Sequence, residues 1–313
     1  MLEAFLATLS PMAVMFSCII IGFVVYKLKL LPENTSGVLS KLEVNIFLPA
    51  LAISSFAKNC TLESITANYH VLLYGCAALA VSLAVGIPVA RFFSKERNER
   101  NIYRYSLVIA NCGFLGNALA SQVFGADLLY LYMLFYMPAS ACIYTWGMRM
   151  LIPQSAGQKK NVFKSLLNPP FVSMFVGLAL GLCGAGKVMP GFVNTVLNNL
   201  SACMGPVAML LTGVVVAQYD VAKLLKNKKV YLAAALRLFI LPAIILGALW
   251  LLGADKMVLT LALFCYGSAL GLNTVVFPAA YGGDTHTGAA MAMISHVGAV
   301  ISIPLLYALI MII

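Results

Sequence analysis

Ten apolar stretches, each long enough to cross a lipid bilayer, make up most of this chain. A helix of about 20 residues, rising 1.5 Å per residue, spans the roughly 30 Å hydrocarbon core of a bilayer. We therefore predict an all-α membrane protein with ten transmembrane helices. The predicted spans lie near residues 4–28, 36–57, 68–93, 102–124, 128–152, 168–186, 190–218, 229–252, 256–281 and 285–313. Spans two and seven are the weakest, because polar residues interrupt them: Glu43, Asn45, Asn194, Asn198 and Asn199.

The composition supports lipid as the surrounding solvent. Hydrophobic residues make up 62% of the 313 residues and charged residues 10%, whereas soluble domains carry about a quarter charged residues. The eight cysteines include no CxxC pair, so we interpret them as small apolar filler and not as a disulfide framework or metal site. No metal and no cofactor is expected.

The basic residues alternate between the predicted loops. Sixteen of the 20 Lys and Arg residues follow spans one, three, five and seven, while Lys58, Lys187 and Lys256 lie on the opposite side. The positive-inside rule places the basic loops in the cytoplasm and both termini outside it.

The first apolar run follows Glu3 and is too long for a cleaved signal peptide. We predict an integral protein of the plasma (inner) membrane. Its net charge of +10 follows from this topology and indicates no nucleic-acid partner.

Several features recur at one offset, which suggests an internal repeat. Pro49 and Pro206 differ by 157 positions, and Gly125 and Asp127 recur at the same offset in the second half. Each half holds five spans, so the second half enters the membrane from the opposite side, as in the inverted repeats of secondary transporters. The predicted boundaries are 1–153 for the first half, 154–167 for a cytoplasmic linker and 168–313 for the second half. Chance recurrence in a Gly-rich chain is the alternative.

Spans four and nine each carry glycine and polar residues at mid-membrane depth. Span four contains NCGFLGN at residues 111–117, and span nine contains GSALGLNT at residues 267–274 with Pro278 beyond it. Glycine and proline weaken a helix, and unwound backbone is tolerated in a membrane only where protein covers it or a cavity adjoins it. We predict that both helices break there, although close helix packing through small residues is an alternative.

Broken helices present half-helix termini to one another, and an N-terminus with free N–H groups attracts anions. Asn, Ser and Thr side chains add neutral hydrogen-bonding groups at the same depth. This arrangement predicts a carboxylate site at the midplane that needs no fixed positive charge. The candidate substrate-binding residues are Asn111, Gly113, Gly116, Asn117, Ser268, Gly271, Asn273, Thr274 and Pro278.

Further polar residues within the spans are candidates for the pathway or for coupling. Arg237 lies about 12 Å deep by helix rise; it could attract the substrate, hold a carboxylate such as Glu43, or extend to the cytoplasmic surface. Glu43 and Asn45 are either entrance residues or interfacial ones. For His296 we favour a hydrogen-bonded packing role over proton transfer. The remaining candidates are Pro49 and Pro206. Asp127 and Asp284 are interpreted as helix caps, with an ion or proton role as the alternative.

Six segments give the chain a resemblance to the auxin efflux carrier family of transporters, which includes bacterial members. They are GFVVYKLKLLPENTSGVLSKL, VNIFLPAL, NCGFLGN, NPPF, GPVAMLLTG and LNTVVFPAAYGGD, in this order along nearly the whole chain. The resemblance implies two inverted five-helix repeats, helices four and nine crossing at broken midpoints, and transport of organic acids such as auxin-like acids, malonate or malate. Many members have a proline at the break in helix four. This chain has none there, so Gly113 and Gly116 are expected to break the helix.

These observations predict a secondary transporter that moves a small organic anion by alternating access, with one helical group rocking against a scaffold containing spans two and seven. No GxxxxGK[ST] motif is present, so a gradient must supply the energy. Coupling to a proton or a sodium ion, and assembly as a homodimer, are left open. A passive channel or membrane sensor is the alternative. An intramembrane hydrolase using Asp127 and Asp284 is disfavoured, because the predicted topology puts them on opposite sides.

Overall fold

The computed structural model describes residues 2–151, 167, 169–271, 273–280 and 286–312. Within these residues the regular structure is helical, apart from one isolated two-residue bridge. The helices are α1 Leu2–Lys27, α2 Thr35–Asn59, α3 Leu62–Phe92, α4 Arg97–Val108, α5 Asn117–Cys142, α6 Pro169–Leu182, α7 Gly191–Ala217, α8 Lys228–Leu251, α9 Lys256–Tyr266, α10 Asn273–Ala280 and α11 His286–Ile312. A kink divides α5 into two helical parts at Gly125, whose backbone is not helical (φ 72°, ψ 179°). A short helix, Val221–Leu224, follows α7.

Among the described residues, six helices are long and apolar enough to cross a membrane. Five of them are α2, α3, α7, α8 and α11, and the sixth, Leu128–Leu151, begins in the second part of α5 and continues beyond it. Met12–Lys27, Pro169–Leu182 and Lys256–Tyr266 are shorter apolar helices. The predicted all-α membrane architecture is therefore confirmed, while the count of ten spans in two inverted halves stays a prediction. Asp284 and the predicted linker, except Leu167, lie outside the described residues.

Two of the long helices widen into a π turn immediately before a proline. The turn Glu43–Phe47 precedes Pro49 in α2, and Leu236–Ile240 precedes Pro242 in α8. Proline lacks an N–H and its ring clashes with the carbonyl four residues earlier, so the preceding turn must open. Glu43 and Arg237 both lie in these widened turns.

Glycines allow close packing of α7 on α1 and of α6 on α2. A Cβ at Gly213 of α7 would lie 2.7 Å from the backbone nitrogen of Phe23 in α1, and one at Gly181 of α6 would lie 2.6 Å from the carbonyl oxygen of Phe56 in α2. Small residues let membrane helices approach in this way. One group comprises α1, α2, α6 and α7, and the other comprises α3, α4, α5, α8, α9 and α11. The groups meet where α1 packs on α11 and α2 packs on α5.

Contacts between helix ends agree with the grouping that the basic residues predict. The Lys27 amine donates to the Tyr219 carbonyl oxygen (3.3 Å) and the Asn101 amide donates to the Met150 carbonyl oxygen (3.3 Å) at the basic end. The opposite end holds hydrogen bonds from Lys58 to Asn198 (3.1 Å) and from Lys256 to Met311 (3.2 Å).

The close contact of α1 and α7 predicts that adding one methyl group at Gly213 will destabilise the protein. We expect Gly213→Ala to lower the melting temperature of the detergent-solubilised protein, because overpacking of this kind costs about 1–3 kcal/mol. Gly247→Ala in α8 is the matched control: its added Cβ would meet no atom within 4 Å, and alanine is the better helix former. Equal melting temperatures for Gly213→Ala and wild type would contradict the close α1–α7 packing.

Candidate functional site

Two unwound segments meet in the interior, and together they form what we term the crossing: residues 109–111 and 267–271. The chain leaves α4 at Ile109, which is extended (φ −114°, ψ 124°). Ala110 and Leu270 form an antiparallel bridge, and the Asn111 N–H donates to the Ala269 carbonyl oxygen (2.7 Å). The structure thus brings both predicted breaks together.

The break before α5 lies earlier than expected. The expectation that Gly113 and Gly116 unwind the helix is wrong, because the backbone opens at residues 109–111 and then enters a π turn, Cys112–Gly116. A Cβ at Gly116 would lie 2.9 Å from the Phe264 carbonyl oxygen of α9, so Gly116 serves close packing. Pro278 likewise lies within α10 and not at the second break. Pairing across the crossing, which requires extended backbone, determines where the helix opens.

The C-terminal carbonyl groups of α4 have partners on three sides. The Tyr105 oxygen accepts from the Ile109 N–H (2.7 Å), and the Val108 oxygen accepts from the Ser82 hydroxyl (2.6 Å). The Leu107 oxygen accepts from Nη1 of Arg237 (3.1 Å). Carbonyls at a helix end need such partners when no water can reach them.

The end of α9 is satisfied by its own following residues and by α11. The Gly267 N–H donates to the Leu263 carbonyl oxygen (2.6 Å), and the Ser268 hydroxyl donates to the Phe264 carbonyl oxygen. The Leu270 N–H donates to the Ser295 hydroxyl (2.9 Å). Ser268, a candidate substrate ligand, therefore caps α9 in this conformation.

The opposite termini, at the start of each second half-helix, carry the partial positive charge. The first hydrogen bond of the π turn runs from the Gly116 N–H to the Asn111 carbonyl oxygen (3.0 Å), so the N–H groups of residues 112–115 have no acceptor within the helix. At α10, the Thr274 N–H and hydroxyl both donate to the Gly271 carbonyl oxygen (3.1 and 2.8 Å). Helix N-termini of this kind favour anions.

Three asparagines surround the crossing, and each has a different partner. Asn111 Nδ2 lies 3.2 Å from Nε2 of His296. Nδ1 of His296 lies 2.6 Å from the Ala292 carbonyl oxygen, so Nδ1 carries the proton and Nε2 accepts from Asn111. Asn273 Nδ2 donates to the Tyr105 hydroxyl (2.8 Å) and so joins α10 to α4. Asn117 Nδ2 donates to the Gly113 carbonyl oxygen (2.7 Å), while its Oδ1 is buried with no partner among the described residues.

A small cavity adjoins Asn117, and the Ser140 hydroxyl, also without a partner within the described chain, lines it too. Its volume of about 20 Å³ is enough for one water molecule. The cavity lies at the seam between α2, α5 and α6. Its lining residues are Leu48, Ala52, Asn117, Met133, Tyr136, Ser140, Pro170 and Met174.

Two adjoining cavities lie at the other seam, between α1, α7 and α11. Phe16, Ile19 and His296 line both. The inner cavity is about 10 Å³ and reaches Leu115 in the π turn that follows the crossing. The outer one is about 200 Å³, almost wholly apolar, and extends to Val221 at the basic end. His296 therefore stands between an apolar groove and Asn111.

Glu43 and Asn45 do not act together in this conformation. Glu43 is fully buried, and neither carboxyl oxygen has a hydrogen-bond partner in the described part of the chain. Asn45 is exposed and donates to the Lys41 carbonyl oxygen of its own helix (2.8 Å). Because Arg237 is also fully buried, it does not extend to the surface, and among the described residues it has no ion pair with Glu43. Pro49 is half-buried, and Pro206 is exposed on α7.

Comparison with known proteins agrees with this architecture. The chain matches the family described as membrane transport protein over residues 7–307. It belongs to this family, the auxin efflux carrier family. An archaeal relative from Methanothermobacter thermautotrophicus, named as an uncharacterized transporter, is 22% identical over 200 residues. The match covers 62% of this chain and 63% of that relative.

The close packing of Gly116 against α9 can be tested by substitution. We expect Gly116→Ala to lower the melting temperature, since its Cβ would meet a backbone oxygen that cannot move without displacing α9. Gly113→Ala is the matched control, because its Cβ would meet only the Tyr136 hydroxyl at 3.2 Å. A smaller loss for Gly116→Ala than for Gly113→Ala would be inconsistent with the close contact to Phe264.

The burial of Glu43 leads to a second prediction, which concerns the charge of its carboxyl group. A buried carboxyl without a partner is costly to ionise, so we expect it to be protonated and Glu43→Gln to melt close to wild type. Glu43→Lys should lower the melting temperature markedly, because it buries a cation at the same place. A large loss in Glu43→Gln would reveal an ionised carboxylate held by a partner.

Proposed function

We propose that this protein is a secondary transporter that moves a small organic anion across the membrane by alternating access, with the anion bound at the crossing. The observation that carries the proposal is the charge arrangement there. Two helix N-termini, at Cys112–Gly116 and at α10, follow the two paired segments of the crossing. A fully buried arginine, Arg237, donates to the Leu107 carbonyl oxygen near the end of α4. Membership of a membrane transport family supports the transporter part of the proposal.

The partial charges at the crossing do not cancel. A helix terminus carries about half an elementary charge, positive at the N-terminus and negative at the C-terminus. Two N-termini and two C-termini would therefore sum to about zero. Arg237 adds a full positive charge at the C-terminal end of α4, which leaves the crossing with a net positive potential. In a medium of low dielectric constant such a potential favours a carboxylate.

The polar side chains around the crossing suit a carboxylate of modest size. The buried Asn117 and Ser140 lack partners for Oδ1 and Oγ among the described residues. The apolar groove beside His296 has about 200 Å³ of space, which would accept the body of a small acid. We propose malonate, malate or an auxin-like acid as the substrate class.

The cavity linings support two inverted halves. Ala52, Tyr136 and Ser140 line the cavity at the α2–α5–α6 seam. Their counterparts 157 positions later, Met209, Met293 and Val297, line the cavities at the α1–α7–α11 seam. The cavities on the two sides of the crossing would then be equivalent under the proposed ten-helix repeat, each lined by residues of both halves. Alternating access follows if the group containing α1, α2, α6 and α7 is the scaffold and the other group rocks against it.

The proposed location is the plasma (inner) membrane, with the basic end in the cytoplasm and both termini outside. The groove beside His296 would then open towards the cytoplasm. A gradient would supply the driving force, and coupling to a proton or a sodium ion stays open.

Flux measurements in proteoliposomes test the proposal. We expect saturable uptake of labelled malonate or malate with counterflow, and a loss of about tenfold or more in Asn117→Ala and Asn273→Ala, because a hydrogen bond to a charged group is worth about 1.5–3 kcal/mol. Asn199→Ala is the matched control, since Asn199 is exposed on α7.

Wild-type rates in both asparagine variants would contradict the proposed site. Single-channel currents without counterflow would instead indicate a passive channel, the alternative function.

A further inference from the structure

The end of α4 is unusual in having a charged side chain from another helix as its partner. Arg237 reaches it from the π turn of α8 and donates Nη1 to the Leu107 carbonyl oxygen at 3.1 Å. The guanidinium also lies over the ring of Tyr266, the last residue of α9, with its carbon 5.9 Å from the ring centroid. The cation thus stands between the C-terminal ends of both first half-helices.

No carboxylate among the described residues neutralises this arginine. Its Nε and Nη2 atoms are buried without a hydrogen-bond partner in that part of the chain, and neither Glu43 oxygen has one. A buried arginine held only by a carbonyl group and an aromatic ring is expensive unless the surrounding potential is negative. The partial negative charge of the helix C-termini supplies that potential.

Half-helix C-termini and unwound carbonyl groups are the groups with which secondary transporters coordinate co-transported cations. In this chain a side chain already supplies a positive charge at that position. We propose that Arg237 is a built-in counter-cation: its guanidinium fills the place at the α4 terminus that a metal cation would otherwise occupy. Anion transport then requires no alkali cation at the crossing. This inference rests on the proposed carrier function, because a cation at the crossing matters only if an anion is bound and transported there.

Removal of the guanidinium should therefore create a cation-binding site. We expect Arg237→Ala to melt below wild type in choline chloride. Most of this loss should be recovered by low-millimolar guanidinium, and part of it by sodium at the same ionic strength. Wild type should melt at the same temperature in all three salts. Arg91→Ala, at an exposed arginine of α3, is the control and should show no selective response to guanidinium.

Two further variants keep the test decisive if Arg237→Ala does not fold. Arg237→Lys retains the charge and Arg237→Gln retains most of the length without it. The proposal requires the lysine variant to be the more stable of the two. It also requires guanidinium to stabilise the glutamine variant and not the lysine variant.

An equal loss in every salt, or equal stability of the lysine and glutamine variants, would overturn the proposal. So would an Arg237→Ala protein that melts like wild type but shows a raised KM for malonate, because Arg237 would then contact the anion itself. The melting measurements need no substrate, so failure of anion transport in the wild type would leave their outcome readable.

Discussion

The backbone of a membrane protein cannot be left unpaired in the lipid interior, because no water is present to hydrogen-bond with it. The crossing is where this constraint is most severe, since two helices stop there. The bridge between Ala110 and Leu270, the hydroxyls of Ser82 and Ser295, and the Arg237 guanidinium satisfy carbonyl and N–H groups on the C-terminal side of the breaks. Satisfying the C-terminal ends in this way leaves the N-terminal ends to define the electrostatic potential.

The crossing also lies where the two helical groups meet. The Asn117 cavity is at the seam of α2, α5 and α6, and the His296 cavities are at the seam of α1, α7 and α11. A relative movement of the groups would change both seams at once, whereas the hydrogen bonds that hold the crossing lie almost entirely within one group. Alternating access requires a binding site of fixed geometry between two seams that can open and close.

The apolar runs and the alternation of basic loops predict the helices, because length and lipid exposure dominate in these segments. Asn111 in the crossing, and Asn117, Asn273 and Thr274 close to it in sequence, were also predictable, since polar side chains at that depth need partners. The role of Gly116 was not predictable, because a glycine that breaks a helix and one that allows close packing look alike in sequence. Arg237 stood out in the sequence as a charged residue within a span, but its partner was not predictable, because a backbone carbonyl leaves no pattern in the residue types.

An experimental density map of the protein in a lipid nanodisc with saturating malonate tests the central claim most directly. The claim predicts that α4 and α9 stop at the crossing and that density for the anion lies against the N-terminal ends at Cys112–Gly116 and α10. Continuous helices through residues 109–111 and 267–271, or anion density only at the membrane surface, would contradict it.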